Sequence, residues 1–537
     1  MENKKKLNTI VFCFYLITCF ILYFITRHAG FVDDYIGFEA NYDRCGLIHY
    51  YSCSGSTNLR FFQHIFTFAI YKIFGSENIG WYFIYCTLHA FAAFLSFCVI
   101  RKILVLFEQK NAVEIAFITA FLFLISPYQT EVVVWRVCIQ YMVVHICLML
   151  SVLLILNVQK NIFSFLLIGI GLFVVALFSI EQAIMIPFAL LAIFIFLFIS
   201  KKPIINQKYF AVLFLIQLLV IVFFFSLSKI FYHKWIMHYG SQVFTNFISI
   251  DTFSRFAKYF LKYIFLLRHW NYNTANSIYE FICKPLVFFS LVALIITSCV
   301  YLLIKFVKGN LKAGILLLFI GLYAITLFPV LQLYFTTLLF VEGDRLGYIS
   351  SLFIFAILGF AVYQFQKTVA RLIAALLIAV NLFFLIKTNT DWKVSQQILT
   401  SYNNSYNFKA RKIFVLATPE NYKGIYLIRT KAGLAEILKY RSNKIIAQDF
   451  IDVVHFNQCS FEDGIKVEKE NDSTLILGFT KTGNWFWRDA LGASDYSNSD
   501  FKYRTADWSS RVTLRNFDPQ QDIIIYPDSS KWKQLRW

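Results

Sequence analysis

Charge is scarce in this chain. Charged residues make up 15% of 537, where a soluble globular protein carries about 25%. That shortfall excludes an ordinary soluble protein over most of the length. Metal-binding spacings are missing as well, since the eleven cysteines form no C-x-x-C pair. There is no internal repeat of 20–50 residues. The C-terminal part contains no nucleophile elbow, P-loop or zinc signature. The N-terminal apolar run ends at Arg27-His28 with no small-residue cleavage site, so it reads as a retained helix and not a signal peptide.

Apolar residues are abundant instead. They make up 58% of the chain, and aromatics alone 19%. Runs of about 20 apolar residues recur through the first 390 positions, each long enough to cross a hydrocarbon core. With no water there to bond the backbone, each must be a helix. The net charge is +19, of which residues 401–537 hold only +4, leaving +15 in the short tails and loops of residues 1–400. That is a positive-inside pattern and not the footprint of a nucleic-acid partner.

The apolar runs predict about eleven spans, at 7–26, 80–100, 112–126, 138–157, 161–179, 183–200, 208–229, 286–306, 311–330, 348–364 and 368–387. Basic residues at 101–102, 160, 201–202, 305–312 and 367–371 mark every second connection. These connections fall on the side of the N-terminal lysines, which places that side inside. The connections 27–79, 127–137, 180–182, 230–285 and 331–347 then face out, as do residues 388–537. Two further segments, 60–74 and 253–267, place basic residues among aromatics and read as helices lying in the interface. The expected fold is an all-α polytopic membrane domain over 1–390 with a small extracytoplasmic α/β domain over 391–537. The latter shows β-like runs at 413–416, 474–477 and 523–526 and a helical pattern at 434–440. Most cysteines lie in apolar helices and read as small buried hydrophobes. Cys45 and Cys53 share one polar loop, and they can pair if it faces an oxidising space.

Polar residues that are costly near a membrane usually mark function, and here they gather on the predicted outer side. Asp33 and Asp34 directly follow the first helix. A carboxylate there can act as a general base or bind a cation, or the pair can simply end the helix in water. Glu131 and Arg136 lie in SPYQTEVVVWR. Glu181 sits in a short turn, and Asp344, Arg345 and Tyr348 lie near the end of another connection. An arginine at a membrane surface can clamp a phosphate. His64 and His89 lie on aromatic-rich segments, where a packing role competes with a chemical one.

In this order the motifs resemble the GT-C superfamily of multispanning glycosyltransferases. The branch they are most similar to holds the transmembrane O-mannosyltransferases with tetratricopeptide repeats, and their bacterial relatives. The resemblance runs over residues 8–395. Asp33-Asp34 looks like the acidic pair of the first outer loop, and Asn58-Leu59-Arg60-Phe61 like Y-R-P-L. Phe74-Gly75, Trp81-Tyr82 and Leu88-His89-Ala90 follow the F-G, Y-H and L-H-A spacing. Ser126-Pro127 with Glu131 and Trp135 is similar to H-P-x-x-x-E-x-x-x-W. Ser179-Ile180-Glu181-Gln182-Ala183 with Pro187 is similar to S-K-E-x-A-x-x-x-P, and Asp344 to Ser350 to E-R-Y-L-Y-x-x-S. Ser126, Ile180 and Gly347 depart from the pattern, and no tetratricopeptide repeats follow.

The resemblance implies transfer of a sugar from a polyprenyl-phosphate donor to a hydroxyl of a lipid, glycan or protein acceptor, with inversion. Asp33, or else Asp34, would be the general base. Arg345 would hold the donor phosphate, while Glu131, Glu181, Arg60, Arg136, His64, Asp344 and Tyr348 would line the site. No cofactor is required, though an acidic pair can hold a divalent metal. The implied setting is a bacterial inner membrane with the C-terminal domain in the periplasm. The competing expectations are a transporter or lipid flippase, and a non-catalytic subunit of an envelope assembly.

Overall fold

The computed structural model describes residues 2–51, 58–157, 161–202, 206–235, 250–266, 269–270, 272–331, 343–428, 449–481, 484–487, 494–505 and 509–536. The fold is mainly helical, with a β-rich C-terminal domain. Among the described residues, nine helices are long and apolar enough to cross a membrane. This is an integral, multi-pass membrane protein.

The count falls short of eleven for two physical reasons. The run at 161–179 forms only Ile162–Leu177, 16 residues. At 1.5 Å per residue that is about 24 Å, less than the roughly 30 Å of a hydrocarbon core. The run at 112–126 ends at Ile125, where Ser126-Pro127 breaks it. Proline drives the residue before it into an extended conformation, and Ser126 has ψ 130°. The chain restarts as Pro127–Val134 after a bend of 53°, and the bent pair counts as a tenth span if taken together. The helices Phe61–Phe74 and Ile250–Phe265, 14 and 16 residues long, are too short to cross a hydrocarbon core of about 30 Å.

The bend corrects a second expectation. Residues 127–137 do not form an exposed outer loop; every residue from Thr119 to His145 is buried. The turns Glu181–Ile184 and Asp344–Gly347 are likewise single 3-10 turns leading into the helices Met185–Ile199 and Tyr348–Val362.

The last helix runs from Lys367 to Ser405 without a break. Its 39 residues reach about 58 Å, nearly twice a hydrocarbon core, so the helix passes straight through the expected boundary at 390/391. The strands that follow are β1 (Lys412–Val415), β2 (Thr418–Tyr422), β3 (Ile425–Tyr426), β4 (Asp449–Asp452), β5 (His455–Gln458), β6 (Ile465–Lys469), β7 (Thr474–Phe479), β8 (Phe486–Trp487), β9 (Tyr496–Ser497), β10 (Phe501–Thr505), β11 (Ser510–Leu514), β12 (Ile523–Asp528) and β13 (Lys531–Leu535). They build three sheets, ordered β13-β12-β1-β4, β6-β7-β11-β10-β9 and β3-β2-β5-β8. The three strand runs expected from the sequence are β1, β7 and β12. The helical pattern at 434–440 lies outside the described residues, and the described part is β-rich where an α/β domain was expected.

This domain has its own core, with Phe414, Leu416, Phe456, Leu477, Val512 and Ile524 among its members. A second set (Tyr422, Ile425, Tyr426, Leu427 and Ile428) belongs instead to the apolar core of the helical domain. The β2–β3 hairpin therefore joins the two domains through buried side chains. Cys45 is disulfide-bonded; its expected partner, Cys53, lies outside the described residues.

Candidate functional site

The site is assembled where the helical domain meets the hairpin. Asp33 and Asp34 open a 13-residue helix, Asp33–Cys45. They therefore begin a helix of their own and do not end the preceding one, and a helix N-terminus favours negative charge. Their backbone is described and their side chains are not. The approach to them is fixed by Gly30. Its φ is +86°, and a Cβ there would lie 1.7 Å from the Val134 carbonyl oxygen. Only glycine permits that contact. The Gly30 carbonyl accepts from the Arg136 N–H at 3.1 Å. This locks the chain leading to the acidic pair onto the end of the bent segment Pro127–Val134.

Glu131 and Arg345 are ion-paired although 214 residues apart. Glu131 Oε2 also accepts from the Arg345 backbone N–H at 2.7 Å. The guanidinium carbon lies 5.1 Å from the centre of the Trp135 ring. Beside this pair, Lys262 Nζ meets Asp344 Oδ1 at 2.7 Å, both side chains buried. Gly347 permits the packing: a Cβ there would lie 2.5 Å from the Tyr263 hydroxyl.

Arg136 differs from these cations. It is 1% exposed. Its guanidinium carbon lies 5.2 Å from the Phe31 and Tyr85 ring centres. Its Nε has no hydrogen-bond partner, and no carboxylate pairs with it among the described residues. Cation–π contacts contribute about 0.5–2 kcal/mol each. The penalty for burying an unpaired ion is larger, at several kcal/mol. The arrangement is therefore suited to receive an anion.

The remaining expected residues divide. Arg60 reaches Glu181 Oε2 at 3.0 Å. The adjoining Gln63 donates to the Val137 carbonyl at 3.0 Å, and Gln182 donates to the Leu346 carbonyl at 3.1 Å. These bonds bring both turns beside Arg136 and Arg345. His64 instead faces Tyr42, with Nδ1 3.1 Å from the hydroxyl. Burial first, then the Arg60 charge, pushes His64 down to about 3, too weak a base for proton abstraction near neutral pH. Tyr348 points into the bundle. His89 Nε2 donates to the Leu124 carbonyl, so its Nδ1 accepts from the Tyr348 hydroxyl at 2.8 Å. Both are packing residues outside the charged cluster.

Several site residues escaped the sequence reading. Lys262 was visible as one face with Tyr259 and Tyr263, at helical spacing. Glu39 is a fully buried carboxylate on the helix that Asp33 opens, hidden in the sequence among ordinary loop charges. Gln396, which accepts from the Phe31 N–H at 3.2 Å, and Tyr426, whose ring lies 5.1 Å from that of Trp135, carried no signal, because both act across the domain junction. Among the described residues no group of three or more His, Cys, Asp or Glu is placed to hold a metal. Comparison with known proteins returns no match, whether to family models, curated proteins or solved structures.

Proposed function

We propose that this protein is a GT-C-type glycosyltransferase that moves a sugar from a polyprenyl phosphate to an acceptor hydroxyl at the membrane surface covered by the C-terminal domain. The observation that carries this reading is Arg136, a buried guanidinium with aromatic faces and, among the described residues, no acid partner. It is tied through Gly30 to the helix that Asp33 opens. A donor phosphate at Arg136 would lie near the start of the helix that Asp33 opens. In this scheme Asp33 takes the acceptor's proton as the acceptor oxygen bonds to the anomeric carbon. The bond from that carbon to the phosphate oxygen breaks, and the phosphate leaves with the electron pair. Arg136 holds its charge, in the role first expected of Arg345. A single in-line displacement inverts the anomeric carbon, and the scheme needs no metal. The setting proposed is a bacterial inner membrane with the C-terminal domain in the periplasm.

A transporter is the second reading. The pairs His89–Tyr348 and His145–Ser96, buried in the bundle, favour it, because ionisable groups within a membrane often mark transport paths. One experiment separates the two. Purified protein is supplied with labelled sugar on polyprenyl phosphate, and transfer to acceptor is measured. Asp33→Asn should cut turnover by roughly 10²–10⁴-fold at unchanged melting temperature, and Asp34→Asn by less. Wild-type turnover in both single variants and in the double variant would rule out the carboxylate mechanism. Movement of the substrate across vesicles without transfer would select the transporter.

A further inference from the structure

The long helix Lys367–Ser405 carries one buried stripe across the expected domain boundary. Asn389, Trp392, Ser395, Leu399 and Tyr402 are all buried, at the spacing of successive turns. Each end of the stripe is anchored. Asn389 Nδ2 donates to the Leu22 carbonyl at 3.0 Å, and the Trp532 N–H donates to Ser405 Oγ at 3.0 Å. Between these anchors the helix touches both halves of the site. Gln396 Oε1 accepts from the Phe31 N–H, two residues before Asp33. Ser395 Oγ donates to the Tyr426 carbonyl at 3.1 Å. Tyr426 in turn lies against Trp135, and Trp135 against the Arg345 guanidinium.

From these contacts we infer that the C-terminal domain positions the reacting groups and is not an appended module. Gln396 and Tyr426 are the positioning residues. Gln396 sets the start of the helix that carries Asp33. Tyr426 closes Trp135 down on Arg345 and so fixes Glu131 and the end of the segment Pro127–Val134, two residues before Arg136. A strut of 39 residues suits this role, because a continuous helix transmits position with no hinge. The assignment of Asp33 and Arg136 as reacting groups rests on the glycosyltransferase reading; the mechanical coupling does not.

Hydrogen–deuterium exchange on the purified full-length protein tests the coupling without any assay of function. Gln396→Met keeps the volume and the helix and removes only the acceptor. It should raise exchange at residues 28–36 by roughly 2–10-fold, the change expected for one lost hydrogen bond. Tyr426→Ala should raise exchange at 130–136 and 343–348, and Tyr426→Phe, which keeps the ring, should not. Melting temperatures are matched before comparison. Unchanged exchange at both places would overturn the inference. Where the wild type transfers sugar, Gln396→Met should lower kcat about 10–100-fold with little change in donor KM. An unchanged kcat there would also overturn it. If exchange shifts as expected and the wild type transfers no sugar, the coupling stands and the glycosyltransferase reading fails.

Discussion

Arg345 and Arg136 are neighbours with opposite circumstances. Arg345 lies against the ring of Trp135, and Arg136 follows Trp135 in the chain. Both are buried, at 6% and 1% exposure. Arg345 is closed by Glu131 through side chain and backbone, with Lys262–Asp344 closing the flank. Among the described residues Arg136 has two aromatic faces and no acid. A buried cation with its acid in place is a clasp, and its loss is felt as instability. A buried cation without one is held at a cost in stability, and a ligand can repay that cost. Sequence alone favours Arg345 as the phosphate holder, because it follows a motif-like Asp344. The described partners of the two arginines are why the proposed scheme gives that role to Arg136.

The strongest way to break the comparison is to open the clasp. Glu131→Ala leaves the Arg345 guanidinium buried without its acid. The expected loss is about 3–5 kcal/mol of stability, read as a large drop in melting temperature in detergent. A double replacement by apolar side chains, Glu131→Leu with Arg345→Met, should recover part of it. A small loss from Glu131→Ala would place Arg345 in the same class as Arg136.

The spans were legible because a run of about 20 apolar residues has one structural solution in lipid. The break at Ser126-Pro127 was legible too, since proline at that position cannot continue the helix. The burial of 127–137 was not legible. It depends on residues that arrive hundreds of positions later, including Tyr426. The partner of Arg345 was hidden for the same reason: a separation of 214 residues leaves no local pattern. Gly347 read as a departure from a motif, and it is explained only by the tyrosines of a helix assigned to the interface. Local chemistry could thus nominate residues, but only the long-range packing separates the arginine clasped by Glu131 from the one proposed to hold the phosphate.

A third buried cluster sharpens the distinction from outside the membrane domain. His455 Nε2 lies 2.6 Å from Asp452 and Nδ1 3.2 Å from Glu420. Both ring nitrogens face acceptors, so both carry protons. Burial opposes this charge, but Asp452 and then Glu420 outweigh it and push His455 up to about 10. The ordinary unfolded value is about 6.5. The contribution to stability is therefore complete below pH 6.5 and is lost as pH rises through about 10. Over that window stability falls with rising pH, at up to about 1.4 kcal/mol for each pH unit. Melting of the full-length protein at a series of pH values, compared with His455→Gln, checks this. The variant should lose the added pH dependence and keep sugar transfer. A flat wild-type profile between pH 6.5 and 10 would mean that the carboxylates do not hold the proton.

The smallest effect on stability belongs to Arg136, and that is what makes it informative. Arg136→Met keeps an unbranched side chain between Phe31 and Tyr85 and removes an ion that no acid among the described residues neutralises. Stability should hold or rise, since the penalty for burying the charge goes with it. Donor binding should weaken, because a hydrogen bond to a charged group contributes about 1.5–3 kcal/mol, roughly 10–150-fold in affinity for polyprenyl phosphate. Arg345→Met should do the reverse, with a lower melting temperature and no selective loss of donor affinity in the fraction that stays folded. Binding of labelled polyprenyl phosphate to both variants, at temperatures set equally far below their melting points, separates them. If Arg136→Met binds the lipid phosphate as tightly as the wild type while destabilising the protein, the two arginines have been assigned the wrong way round.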